Sequence, residues 1–178
     1  MVSLVDGLLV LARLDRETTA DAPPAPVALA PLAQSSLRRH RHLHLDLQES
    51  VPDVLVAAQE DVVRRVLDNL LDNAVRHAAS SVSLSASQDV GRVTLVVEDD
   101  GAGIPPEDRD RVFDRFTRLD DARDRDGGGS GLGLAIVREL VERDEGVVAL
   151  DDRPGGGLRV SVTLPAAPPA AGEPDAPS

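Results

Sequence analysis

The chain has no cysteine, no lysine, no tryptophan and no tyrosine, and only two phenylalanines among its 178 residues. Without cysteine there is no disulfide framework and no thiolate nucleophile. Without lysine, all nineteen basic residues are arginine, and three enzyme classes close. A P-loop needs the lysine of its GK[ST], a eukaryotic-type protein kinase needs one on its third strand, and a Schiff-base enzyme needs the amine itself. Positive charge is scarce as well: 31 acidic against 19 basic residues leave a formal charge of −12. Nucleic acid and anionic membrane surfaces are therefore poor partners. The longest apolar run near the start, "LLVLA", is far too short to span a bilayer. No signal peptide is legible, and the chain reads as soluble and cytoplasmic.

What is present suits one domain of ordinary size, with 42% apolar residues to form a core. Residues 3–15 carry Leu4, Leu8 and Leu11 at helical spacing, and a Pro/Ala-rich linker runs over 17–27. "LAPLAQSSLRRHR" reads as a helix, "HLHLDL" and "VLVA" as strands. "EDVVRRVLDNLLDNAVRHA", residues 60–78, is the strongest helix. Val63, Leu67, Leu70, Leu71 and Ala74 share one side, and Arg65, Asn69, Asn73 and Arg76 the other. The period then changes to two in "SVSLSAS", "RVTLVVED", "GVVAL" and "LRVSVTL". Clean alternation means one buried and one wet sheet face, so the pattern predicts a single mixed or antiparallel sheet with helices on one face. The tail from 166 to 178 is low-complexity and reads as disordered.

Four stretches can carry chemistry. In "DGGGSGLGLAIV", Gly129, Gly131 and Gly133 lead into a helix starting near Leu132; they suit either a hinge or a cradle of backbone amides for a phosphate. Asn69 and Asn73, the only asparagines, lie four apart with Arg76 on one helix face. They suit a solvated face, or an amide oxygen for Mg²⁺ with an arginine for phosphate. In "VEDDGAGIPP", Asp99 ends a strand before Gly101 and Gly103, giving an ordinary turn or a carboxylate that accepts from an exocyclic amine beside a flat ring. Phe113 and Phe116 fall inside a long polar loop, as a hydrophobic plug, a lid anchor or a patch for a partner. His40, His42 and His44 alternate as metal ligands on a strand would, although a polar strand face explains them better.

Taken in order, "NLLDNAVRH", "VEDDGAGIP", "VFDRFTR" and "GSGLGLAIV" resemble the N, G1, F and G2 boxes of bacterial sensor histidine kinases, over roughly residues 28–165. "LLVLARLD" resembles the end of that family's second dimerisation helix. The resemblance implies the GHKL (Bergerat) ATP-binding fold, an α+β two-layer sandwich with a mixed, mostly antiparallel sheet. It divides the chain into a partial dimerisation helix (1–16), the linker (17–27), the catalytic domain (28–165) and the tail. Asn73 would coordinate Mg²⁺ with Asn69 in support, and Arg76 and His77 would approach phosphates or ribose. Asp99 would bind the adenine amine of ATP beside Gly101 and Gly103. Gly129, Gly131, Leu132 and Gly133 would wrap the phosphates, and residues about 104–130 would form a lid anchored by Phe113 and Phe116.

The implied reaction is phosphoryl transfer to a histidine, with a dimerisation domain and a response regulator as partners and a parent kinase that a membrane can anchor. None of His40, His42, His44 or His77 stands in the family's H-E/D-x-R-T-P-like acceptor context. The chain is thus expected to bind ATP, to lack its own phosphoacceptor and to be monomeric. Hydrolytic ATPases of the same fold carry a glutamate base four residues before the Mg²⁺ asparagine; here that residue is Asn69, which takes no proton from water. A serine kinase acting on anti-sigma partners is disfavoured by the F box, and a nucleotide-binding module without transfer by the intact boxes.

Overall fold

The computed structural model describes residues 25–117 and 131–168. The leucine stripe near the start, most of the linker, lid residues 118–130 with Gly129, and the tail from 169 lie outside the described residues.

The long amphipathic run folds as expected into a helix, Glu60–His77, here α2. Its buried residues, Val62, Val63, Val66, Leu67, Leu70, Leu71 and Ala74, recur at the spacing of one helix face. Glu60 and Asp61 lie in its first turn and Arg76 and His77 in its last, each charge favourable to the helix dipole. Two helices flank it: α1, Leu29–Arg38, and α3, Gly133–Arg143. Ser36, buried on α1, donates its hydroxyl to Asp68 of α2 at 2.7 Å, and Arg39 pairs with the same carboxylate.

Beneath the helices lies a five-stranded sheet in the order β2-β4-β5-β7-β6. The strands are β2 (Asp46–Ser50), β4 (Ser81–Asp89), β5 (Arg92–Asp99), β6 (Val147–Asp152) and β7 (Leu158–Pro165). Only β2 and β4 run parallel; the other pairs are antiparallel. Val82, Leu84, Val93, Leu95, Val97, Val160, Val162 and Leu164 are buried in the same core as the helices' apolar residues. The opposite face is largely polar, with a Thr94–Thr163 hydroxyl bond of 3.0 Å and an Arg159–Glu98 pair at 2.7 Å. This is the expected one-faced architecture, a two-layer α/β sandwich.

Two boundaries differ from the sequence reading. Pro26 and Val27, placed in the linker, begin a strand (β1, Pro26–Ala28) paired antiparallel with β3, Leu55–Ala57. At the other end Ala166 bridges Val56, and the amide of Ala167 donates to Leu55 O at 2.9 Å. Backbone pairing on β3 thus holds residues on both sides of the expected 28–165 unit. The strand expected at "HLHLDL" also starts late. His40–Leu43 close a turn through Leu43 N to His40 O at 3.0 Å, and the ladder to β4 begins only at Asp46, opposite Ser81.

Candidate functional site

β5 runs out of the sheet at Asp99, whose side chain points under the helices and is only 2% exposed. Its Oδ1 accepts the Gly101 amide at 2.9 Å. Burial pushes the Asp99 carboxyl above the usual range; the Gly101 amide, nearby His77 and the Leu158 amide pull the other way. A buried carboxylate with so few donors keeps acceptor capacity for an incoming N–H.

Glycines let three segments close around this carboxylate. A Cβ on Gly101 would stand 2.2 Å from the main-chain oxygen of His77, so the loop after β5 lies flush on the end of α2. Gly103 in turn abuts Gly157. Gly157 has φ +110°, and a Cβ there would lie 1.9 Å from Asp99 O. The β6–β7 hairpin therefore forms the back wall of the site. Sequence reasoning missed Gly157, which is one of three consecutive glycines; its neighbours Gly155 and Gly156 face open space. Arg109 was missed as well. It donates to Ile104 O at 3.2 Å and pairs with Asp152 at 2.5 Å, tying the start of the long loop to β6.

On α2, Asn69 and Asn73 are half-buried and Arg76 and His77 exposed. The Asn69 amide donates back to Arg65 O at 2.8 Å. Its Oδ1 lies 3.4 Å from where a Cβ on Gly133 would stand, so the asparagine face of α2 meets the start of α3. That start has no side-chain cap and no acidic residue in its first turn, leaving backbone N–H groups available to an anion. Leu132 is buried, so only its main chain can face a ligand. Gly131, at φ +65°, accepts the Phe116 amide at 3.1 Å and joins the two described ends of the loop.

The two phenylalanines part company. Phe113 packs against the core with Arg138 of α3 stacked over its ring at 5.2 Å. Phe116 is 53% exposed with φ +68°, and its backbone amide holds the loop through Gly131 O. The histidines part as well. His40 lies 3.3 Å from Asp72 on α2, without hydrogen-bond geometry, and burial lowers its pKa against the pull of that carboxylate. His42 and His44 sit in the turn ahead of β2, and no group of three potential metal ligands occurs among the described residues. A groove of about 660 Å³ between β1, α1 and the start of α2 shares no residue with the Asp99 site. Among the described residues, no helix is long and apolar enough to cross a membrane.

The arrangement thus joins a buried carboxylate, a glycine-lined wall, an asparagine helix face and an open helix start. A sequence profile of histidine kinase-, DNA gyrase B- and HSP90-like ATPases matches residues 58–168. Sensor protein RstB of Escherichia coli (strain K12) is 40% identical over 177 residues, covering 92% of this chain and 38% of RstB. A probable sensor histidine kinase of Mycobacterium tuberculosis is 38% identical over 163 residues, 91% of this chain and 42% of that protein. The solved mycobacterial sensor histidine kinase MprB superposes with a TM-score of 0.72 at 32% identity, over 82% of this chain and 99% of the other. The chain spans less than half the length of the two curated relatives. It belongs to the histidine kinase-, DNA gyrase B- and HSP90-like ATPase family, as an ATP-binding domain homologous to the catalytic domains of sensor histidine kinases.

Proposed function

We propose that this domain binds Mg²⁺–ATP and passes the γ-phosphoryl group to a histidine on a dimerisation domain, for onward transfer to a response regulator. The observation that carries the reading is Asp99, buried at a strand end and enclosed by Gly101, Gly103 and Gly157. Its carboxylate accepts the adenine amine while the glycine-lined wall admits the ring. The open start of α3, with Gly131 and Gly133 and with Gly129 ahead of it, receives the phosphates through main-chain amides. Arg76 and His77, exposed at the end of α2, reach ribose or phosphate. The Asn73 amide oxygen is a hard donor suited to Mg²⁺, which when bound neutralises charge on the transferring group. Positioning and charge neutralisation then do most of the catalysis.

Hydrolysis is the weaker reading. Asn69 stands where a carboxylate base is needed, and its amide is engaged with Arg65 O. None of the four histidines stands in an acceptor-like segment, so the acceptor is supplied by another domain. The phenylalanine loop is the natural contact for that domain. The reaction belongs in the cytoplasm, where ATP is available, whether or not a membrane anchors the parent.

The test is γ-labelled ATP with Mg²⁺ and a phosphoacceptor domain supplied in trans. Acid-labile, base-stable label on that domain is expected. Rapid release of free phosphate with no labelled histidine would contradict the proposal.

A further inference from the structure

Asp100, next to the buried carboxylate, has a role that none of the glycine or asparagine motifs requires. Its Oδ1 accepts three consecutive main-chain amides, Ala79 at 2.9 Å, Ser80 at 2.9 Å and Ser81 at 3.0 Å. Its Oδ2 takes the Ser80 hydroxyl at 2.5 Å. Its own amide returns a bond to Ser81 O at 3.3 Å. These donors hold its carboxyl well below the usual carboxylate range. Residues 78–80 are the whole connection between α2, which ends at His77, and β4, which starts at Ser81.

One side chain thus ties the end of the asparagine helix to the residue after Asp99. Next along, Gly101 lies against His77 O and donates to Asp99 Oδ1. Within the sheet the backbone of Asp99 is held on both sides, paired with Val82 of β4 and Leu158 of β7. Beyond the ladder, the Gly101 contact and the Asp100 clamp tie the loop that follows Asp99 to the end of α2 and its connection to β4. Loss of the Asp100 clamp leaves the ladder pairs of Asp99 in place and frees the loop against which its side chain is set.

We propose that Asp100 is a positioning residue for purine recognition: by clamping the Ala79–Ser81 amides it sets Asp99 at the distance from α2 at which the carboxylate accepts an exocyclic amine. The proposal rests on the nucleotide-binding reading above. A residue needed only for stability would weaken all nucleotides together. A positioning residue changes which nucleotide is preferred.

The experiment compares dissociation constants for ATP and for purine riboside triphosphate, which lacks the exocyclic amine, with thermal melting of each variant. The parent should prefer ATP by roughly 10- to 100-fold, the ratio expected of one hydrogen bond to a charged group. Asp100→Ala should bring that ratio to within about threefold, chiefly by weakening ATP. Asp100→Asn keeps an acceptor oxygen for the amides and should restore most of the preference. Ser80→Ala removes only the hydroxyl bond and should lower the ratio in a folded protein, so an unfolded Asp100→Ala does not rescue the idea. An Asp100→Ala variant that weakens both ligands equally, or a Ser80→Ala variant with the parent's ratio, overturns the proposal. A parent that binds neither ligand overturns the nucleotide reading and this inference with it. A parent that binds ATP but loses nothing in Asp100→Ala overturns this inference alone.

Discussion

Asp99 turns from the end of β5 into the helix-covered interior, whereas Asp100 turns outward onto the Ala79–Ser81 amides. Their carboxyls shift in opposite directions, and the sign of each fixes a pH dependence. Asp99 titrates higher in the folded state than in the unfolded chain. Between those two values the native state keeps a proton that the unfolded chain has released, so stability falls as pH rises through the window. Asp100 titrates lower when folded, so its contribution is complete above the unfolded value of about 3.9 and fades as pH falls below it. Urea midpoints from pH 3 to 7 should show both effects. Asp100→Asn flattens the acid loss, and Asp99→Asn is no less stable than the parent at pH 7 while binding ATP at least about tenfold more weakly. The glycines offer a second comparison. Gly157→Ala forces a Cβ to 1.9 Å from Asp99 O, whereas at Gly155, φ +92°, a Cβ meets nothing. Gly157→Ala should cost about 3 kcal/mol or more and Gly155→Ala only the left-handed backbone penalty of about 1–2 kcal/mol, read as denaturant midpoints.

At the scale of elements, α2 carries both the structure and the site. Its apolar face is packed between α1, α3 and the sheet, and its polar face presents Asn69 and Asn73. Leu67 is fully buried at its centre. Leu67→Ala should therefore destabilise the fold by about 2–5 kcal/mol in equilibrium unfolding. It should leave ATP affinity near the parent's wherever the variant is folded. This helix was legible in the sequence because seven buried positions follow one period over five turns. β4 and β7 were legible because each alternates over seven residues, and β5 because its β-branched, apolar-rich run ends in acids. β2 was not placed correctly, since "HLHLDL" alternates equally well in a turn; only the ladder partner Ser81 decides that pairing starts at Asp46. β1 was hidden in a Pro/Ala-rich segment, where three residues paired with β3 leave no periodic trace.

Across the whole molecule, the site is the place where three chain segments meet, and its legibility divides accordingly. Asp99, Gly101 and Asn73 announce themselves by local patterns. Gly157 and Asp100 do not, because what they touch lies elsewhere in the chain: Asp100 reaches back 20 residues to Ser80, and Gly157 presses on Asp99 from the far hairpin. Phe116 shows the converse, a residue whose type suggests a buried anchor but whose ring is 53% exposed on a backbone of positive φ. The fold brings the asparagine face, the buried carboxylate and the open start of α3 together, and the central claim is that together they bind Mg²⁺–ATP. Calorimetric titration with ATP, with and without Mg²⁺, on the parent and on Asp99→Ala and Asn73→Ala, tests that claim most directly. The account predicts saturable binding by the parent, its loss in Asp99→Ala, and loss chiefly of the Mg²⁺ dependence in Asn73→Ala. A folded parent that takes up no ATP, or an Asp99→Ala variant that binds as the parent does, would contradict it.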